Sequence, residues 1–161
     1  MKNSSSVSPK PPVPAPFALR VPIMFRDVDA AGTAYYPRLV DLCHCAFEAF
    51  FNERIGPAYS GVIGSGVGFP SVHFEVDFIA PVRHGDVIDI FVRVSDVGRT
   101  SVSLAFEARR GKTVLFRAKN VIVVVDLKGM TKRPLGARLR NRFQAACQED
   151  PGVRSRGPVS R

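Results

Sequence analysis

Cysteine is scarce in this sequence: Cys43, Cys45 and Cys147 are the whole supply. A small, odd number of thiols does not build a disulfide framework, so a reducing cytoplasm is the expected compartment. Long apolar runs are missing too. The most apolar strip, Val121 to Val125, falls far short of the roughly 20 residues a membrane helix needs. The first residues show no apolar stretch after Lys2 and are rich in Ser and Pro, so no signal peptide and no membrane partner are expected. No internal repeat is present.

Acidic residues are missing from the two ends. The net charge is +9, yet residues 18–126 carry 12 basic and 12 acidic side chains and balance to zero. Residues 1–17 hold Lys2 and Lys10 with no acid, and residues 127–161 hold nine Lys/Arg against two acids. A folded nucleic-acid module would carry its basic residues on its own surface, with aromatics among them. The excess is therefore read as solubilising tails, and no nucleic-acid partner is expected.

A chain of 161 residues has room for one domain and one core. Residues 1–17, with Ser4 to Ser6 and the prolines from Pro11 to Pro16, lack the apolar surface needed to order themselves and form a disordered tail. The folded domain is placed at 18–145. Residues 146–161 are read as a second disordered, basic tail.

Inside these bounds the periodicity changes type once. Ala18 to Phe25 reads as a short strand. Gly32 and Pro37 flank a turn into a helix, whose apolar residues Leu39, Val40, Cys43, Ala46, Phe47, Phe50 and Phe51 fall at i, i+3, i+4 spacing. Gly56 and Pro57 end it, and a Gly-rich loop from Gly61 to Gly68 follows. Period two then takes over. Val72, Phe74, Val76 and Phe78 alternate with polar partners, up to Pro81 and the His84-Gly85-Asp86 turn. Strands over Val87–Val97, Thr100–Arg109 and Thr113–Leu127 complete the pattern, with turns at Gly98 and Gly111-Lys112. The expected fold class is α+β. Four consecutive antiparallel strands need their apolar face covered, and the single long helix is the element available to cover it.

The segment before the helix reads Phe25-Arg26-Asp27-Val28-Asp29-Ala30-Ala31-Gly32-Thr33-Ala34-Tyr35-Tyr36-Pro37. Together with Val82-Arg83-His84-Gly85-Asp86 and Gly98-Arg99-Thr100-Ser101-Val102, it resembles the 4-hydroxybenzoyl-CoA thioesterase family of hotdog enzymes over about residues 18–135. That resemblance implies a hotdog fold, in which a curved antiparallel sheet of about five strands wraps round one long central helix. It implies hydrolysis of an acyl-CoA thioester without a cofactor, and a homodimer or homotetramer with CoA bound between subunits. The second Asp of the motif, Asp29, would attack or activate water. The backbone N–H of Tyr36 would polarise the carbonyl, and Tyr35 and Pro37 would lie beside the substrate. Arg99 matches a CoA-contacting position; Arg83, Arg109, Arg110 and Lys112 are further candidates for CoA phosphates.

The residues support this chemistry on their own terms. Thioester hydrolysis needs a nucleophile or base and a group that stabilises the oxyanion. A carboxylate on a loop just before a helix supplies the first, and the unpaired N–H groups of the helix start supply the second. Gly32 would let the backbone pass close to the substrate. The competing role for Asp29 is an Asx-turn or a helix cap. Asp27 is read as structural, tied to backbone N–H groups or to Arg26. Asp41, His44 and Glu48 share helical spacing and offer either a rival carboxylate or a solvated polar face. Cys43-His44-Cys45 is no metal site, because residues two apart on a helix point to opposite sides and no second Cys/His pair completes a set. His73 and His84 are read as a strand-surface and a turn residue. A lean towards aromatic or short-chain acyl groups follows from the family resemblance. The remaining alternatives are a thioesterase for acyl carrier protein, a non-catalytic acyl-binding hotdog protein, and a regulatory protein that binds through its basic tails.

Overall fold

A computed structural model describes residues 15–148. The first strand, β1 (Ala18–Pro22), is shorter than its apolar pattern suggests. Its continuation turns into a single 3-10 turn at Phe25–Asp27, because Asp27 draws the backbone of Met24 back onto its carboxylate. Helix α1 follows (Tyr36–Phe50). It starts three residues before the apolar period does and runs on into a π-helical turn, Phe51–Ile55. Gly56, at φ +39°, ends it, as expected from the sequence. The glycine-rich stretch is not a loop throughout. It forms a short helix, α2 (Tyr59–Gly64), whose start is held by the Asn52 Oδ1 acceptor on Tyr59 N–H at 2.7 Å, and then a two-residue strand, β2 (Val67–Gly68).

The long strands are β3 (Ser71–Phe78), β4 (Val87–Val97), β5 (Ser101–Arg110) and β6 (Thr113–Val123). Short strand β7 (Val125–Asp126) pairs with β2 on one side and with β8 (Thr131–Lys132) on the other in a small separate sheet. The main sheet is fully antiparallel, in the order β1-β4-β5-β6-β3. The three strands β4 to β6 form the expected meander, but β3 does not neighbour β4. It crosses to the far edge and pairs with β6. The crossover, residues 79–86, leaves the sheet after Ile79 and Ala80 donate to Leu115 O, and runs beneath the loop before α1.

Period two puts Ile88, Ile90, Val92 and Val94 of β4 and Val102, Leu104, Phe106 and Ala108 of β5 on one face, all buried. Helix α1 packs on this face through Leu39, Leu42, Cys43, Ala46, Phe47 and Phe50. This is the hotdog arrangement the sequence implied. A second helix shares the covering, which the sequence reading did not foresee. Helix α3 (Ala137–Gln148) packs on β4 and on the π-turn. Its Phe143 is fully buried, 5.9 Å centroid to centroid from Phe51, and a phenyl ring so placed contributes about 2 kcal/mol of burial.

The folded part therefore extends past both expected boundaries. Helix α3 runs through residues 146–148. At the other end Phe17 is buried edge-on against Phe50, ring centroids 5.5 Å apart, and Ala15 O accepts from Arg54. An apolar anchor in a Pro-rich segment is enough to dock it. The remainder of the two expected tails, 1–14 and 149–161, lies outside the described residues. No helix among the described residues is long and apolar enough to cross a membrane.

Candidate active site

The segment from Asp27 to Tyr35 is a small closed hairpin on top of the crossover. Val28 and Ala34 bridge across it. Asp29 N–H donates to Thr33 O at 2.9 Å, and Gly32 N–H donates to Asp29 O at 2.9 Å. The tip turns through Gly32 at φ +72°, where a side chain would strain the backbone. A Cβ there would meet no atom within 4 Å, so the constraint in this chain is conformational rather than one of space. The hairpin foot closes where Tyr35 N–H donates to Asp27 O at 3.0 Å. Below, Ala34 N–H donates to Val82 O at 2.7 Å, and Thr33 bridges Arg83. The order of strands explains why these pieces meet: only a chain that leaves β3 for the opposite side of the sheet passes under this loop.

Two carboxylates two residues apart have opposite surroundings. Asp27 is 2% exposed and is the one buried charged side chain among the described residues. Its Oδ2 accepts Met24 N–H at 2.8 Å, and its Oδ1 accepts Arg38 Nε and Nη2, each at 2.9 Å; Arg26 Nε stands at 3.8 Å. Burial alone would push its carboxyl up, but the Met24 N–H and the Arg38 guanidinium outweigh burial and hold it below the usual range. Asp27 is thus the structural residue, tied chiefly to Arg38 rather than to Arg26. Asp29 is exposed. Its Oδ1 accepts Ala31 N–H at 2.9 Å, an Asx-turn, and no described donor occupies Oδ2. The turn the sequence offered as a competing role is present, and it uses one oxygen of two.

Helix α1 begins without a side-chain cap. Arg38 N–H donates to Tyr35 O at 2.8 Å, and Pro37 has no N–H to offer. Among the described residues nothing accepts Tyr36 N–H, so it is an uncommitted donor at the positive end of a 15-residue helix. The rings of Tyr35 and Tyr36, both exposed, lie 5.4 Å apart beside it.

The structure gathers Asp29, Gly32, Tyr35, Tyr36, Pro37 and Arg83 at one end of β4. Arg99 sits at the other end, in the β4–β5 turn, where its carbonyl accepts Leu135 N–H. Eleven residues of β4 span about 33 Å, so Arg99 and Asp29 of one chain do not share a site. The other basic candidates are engaged. Arg109 pairs with Glu107 and lies over the Phe91 ring at 5.3 Å, and Arg110 pairs with Asp86 at 2.6 Å. Lys112 is on the exposed β5–β6 turn. Asp41 pairs with Arg38, while His44 lies 3.2 Å from Glu48, which makes a solvated helix face. Cys43 is buried, with its thiol pushed up to about 12 by burial, and Cys45 is exposed on the opposite side. His73 sits beside Glu75, and His84 stacks edge-on to Phe25. Arg38 was missed in the sequence. Its signal was a basic residue in the first turn of a helix, three before an Asp.

Residues 23–146 match the model of the Thioesterase-like superfamily. A 1,4-dihydroxy-2-naphthoyl-CoA hydrolase of Nostoc punctiforme is 27% identical over 113 residues, covering 70% of this chain and 76% of its own length. Among solved structures, a 1,4-dihydroxy-2-naphthoyl-CoA thioesterase from Synechocystis superposes with a TM-score of 0.73 at 22% identity, covering 81% of this chain and 96% of its own. A gentisyl-coenzyme A thioesterase superposes at 0.72 with 24% identity, covering 77% and 99%. At these identities the superpositions speak for a common fold. The family match spans the hairpin, α1 and every strand of the sheet after β1, and the chain belongs to the Thioesterase-like superfamily, with its hotdog fold.

Proposed function

We propose that this protein is an acyl-CoA thioesterase acting on an aromatic acyl group, with Asp29 as nucleophile or general base and Tyr36 N–H as the oxyanion donor. One observation carries the reading: among the described residues, a half-free carboxylate and an uncommitted helix-terminal N–H stand on either side of one closed hairpin. Asp27 is unsuited to the task because its oxygens are spent on Met24 and Arg38. In the reaction, the thioester oxygen gains negative charge as the carbonyl carbon is attacked. A fixed N–H at a helix start stabilises that charge without reorganising. Asp29 either attacks the carbonyl itself, expelling the CoA thiolate and leaving a mixed anhydride that water then hydrolyses to the free acid, or takes the proton of the attacking water, so that the thiolate leaves and the free acid forms directly.

The relatives and neighbours named above act on hydroxylated aromatic acyl-CoAs, and the exposed Tyr35–Tyr36 pair offers an aromatic wall at the helix mouth. Arg83, next to the hairpin, is suited to a CoA phosphate. Arg99 can serve only the site of another subunit. A homo-oligomer fits the edge strand as well. β3 is paired on one side only, and its Val72 and Phe78 are more than half exposed, a surface that a second copy would cover.

The test is thiol release from benzoyl-, 4-hydroxybenzoyl-, 1,4-dihydroxy-2-naphthoyl-, short-chain and long-chain acyl-CoAs, for wild type and Asp29→Asn. Turnover of the aromatic members that collapses in the variant is the expected result. An inert wild type, or full activity in Asp29→Asn, overturns the reading. Light scattering on the wild type gives the subunit count.

A further inference from the structure

Arg38 is in an unfavourable place for a surface cation. It lies in the first turn of α1, where the helix dipole disfavours positive charge and acidic residues are preferred. That turn contains no acid of its own. The guanidinium is also only about one-third exposed, and all three of its nitrogens are used. Nε and Nη2 donate to Asp27 Oδ1, and Nη1 donates to Asp41 one turn further along the helix. Asp27 in turn forms the foot of the hairpin: its carboxylate takes Met24 N–H, and its carbonyl takes Tyr35 N–H.

We infer that Arg38 is a positioning residue that clamps the Asp29 hairpin to the first turn of α1 through Asp27, with Asp41 fixing the guanidinium from the other side. This rests on the thioesterase reading for its effect on turnover, but not for its effect on the loop. The physical logic is that the nucleophile and the oxyanion donor belong to different elements. Asp29 rides on the hairpin, and Tyr36 N–H belongs to the helix. Their separation is set by whatever ties the two together. Besides the covalent link through Tyr35, the one charged tie among the described residues is the Asp27–Arg38 pair, in which Nε and Nη2 converge on the same oxygen and so fix direction as well as distance. A lysine cannot reproduce it, because a single ammonium cannot hold both carboxylates in that plane.

The experiment has two arms on the full chain. The first needs no substrate. Amide hydrogen exchange is followed at Asp29, Gly32 and Tyr35, with β4 to β6 as the internal reference, in wild type, Arg38→Met and Arg38→Lys. Faster exchange confined to the hairpin in Arg38→Met, and an intermediate rate in Arg38→Lys, are expected. The second arm is steady-state kinetics on the best aromatic acyl-CoA. A misplacement of about 1 Å between reacting groups costs up to about a hundredfold, so kcat should fall by that order in Arg38→Met while KM changes little. Added guanidinium should restore part of the kcat of Arg38→Ala and none of that of Asp29→Asn. Wild-type exchange in the hairpin of Arg38→Met overturns the inference, whatever the activity, and so does an unchanged kcat. Full activity in Asp29→Asn instead removes the thioesterase mechanism and leaves the exchange arm to decide the clamp.

Discussion

Replacing Asp27 by Asn probes the buried carboxylate without changing its volume. The carboxylate uses Oδ2 for Met24 N–H and Oδ1 for Arg38. An amide has one acceptor oxygen. If that oxygen faces Arg38, its NH2 meets the Met24 N–H, donor against donor; if it turns the other way, the guanidinium loses its acceptor. Hydrogen bonds to charged groups are worth about 1.5–3 kcal/mol each and neutral ones about 1 kcal/mol. With Arg38 partly solvated, the low end applies, and the net loss is about 2 kcal/mol. For a domain of this size that lowers Tm by about 4–8 °C. Its pH dependence carries the sharper test. The Asp27 carboxyl is held below its unfolded value of about 3.9, so its contribution is complete above that pH and is lost as the pH falls through the lower folded value. Urea unfolding from pH 7 to pH 3 should show wild type ahead by a constant margin down to about pH 4 and a shrinking margin below it. A margin that stays the same to pH 3, or equal stability at pH 7, would refute the ionic account of this residue.

Gly32→Ala forces a side chain into a left-handed conformation, which costs about 1–2 kcal/mol and displaces the tip that carries Asp29; activity should fall further than thermal stability. Phe143→Ala removes a fully buried ring from beneath α3, and chemical denaturation should record a loss of about 3–5 kcal/mol. Cys45 should react with a thiol reagent in the native protein at pH 8, whereas Cys43, buried and with its thiol pushed up to about 12, should react only on unfolding; native labelling of Cys43 would mean that α1 is not seated as described.

The strands were legible because their faces differ. Val102, Leu104 and Phe106 alternate cleanly against polar partners, and burial follows that alternation. The motif Asp27 to Pro37 was legible as chemistry because a carboxylate, a glycine and a helix start stand together. Strand order was harder to read. Nothing in Phe78-Ile79-Ala80-Pro81 distinguishes a hairpin from a crossover, since the choice depends on which distant strand offers a better edge. Helix α3 was hidden by its arginines. Leu139, Phe143 and Cys147 keep a helical period, but Arg138, Arg140 and Arg142 dominate the composition; Arg138 and Arg142 are exposed and Arg140 donates to Gly98 O, so none of them prevents one face from packing. Arg38 escaped because its value lies in a pair with Asp27, eleven residues away across the hairpin.

The crossover at residues 79–86 has a consequence for how this protein would behave at different concentrations. The same short segment is anchored to β6 beside the exposed edge strand β3 and then supports the Asp29 hairpin through Val82 and Arg83. Whatever steadies that edge steadies the hairpin. If a second copy covers β3, turnover per molecule should not be constant on dilution: below the dissociation concentration the edge loosens, and specific activity should fall before any unfolding is detected.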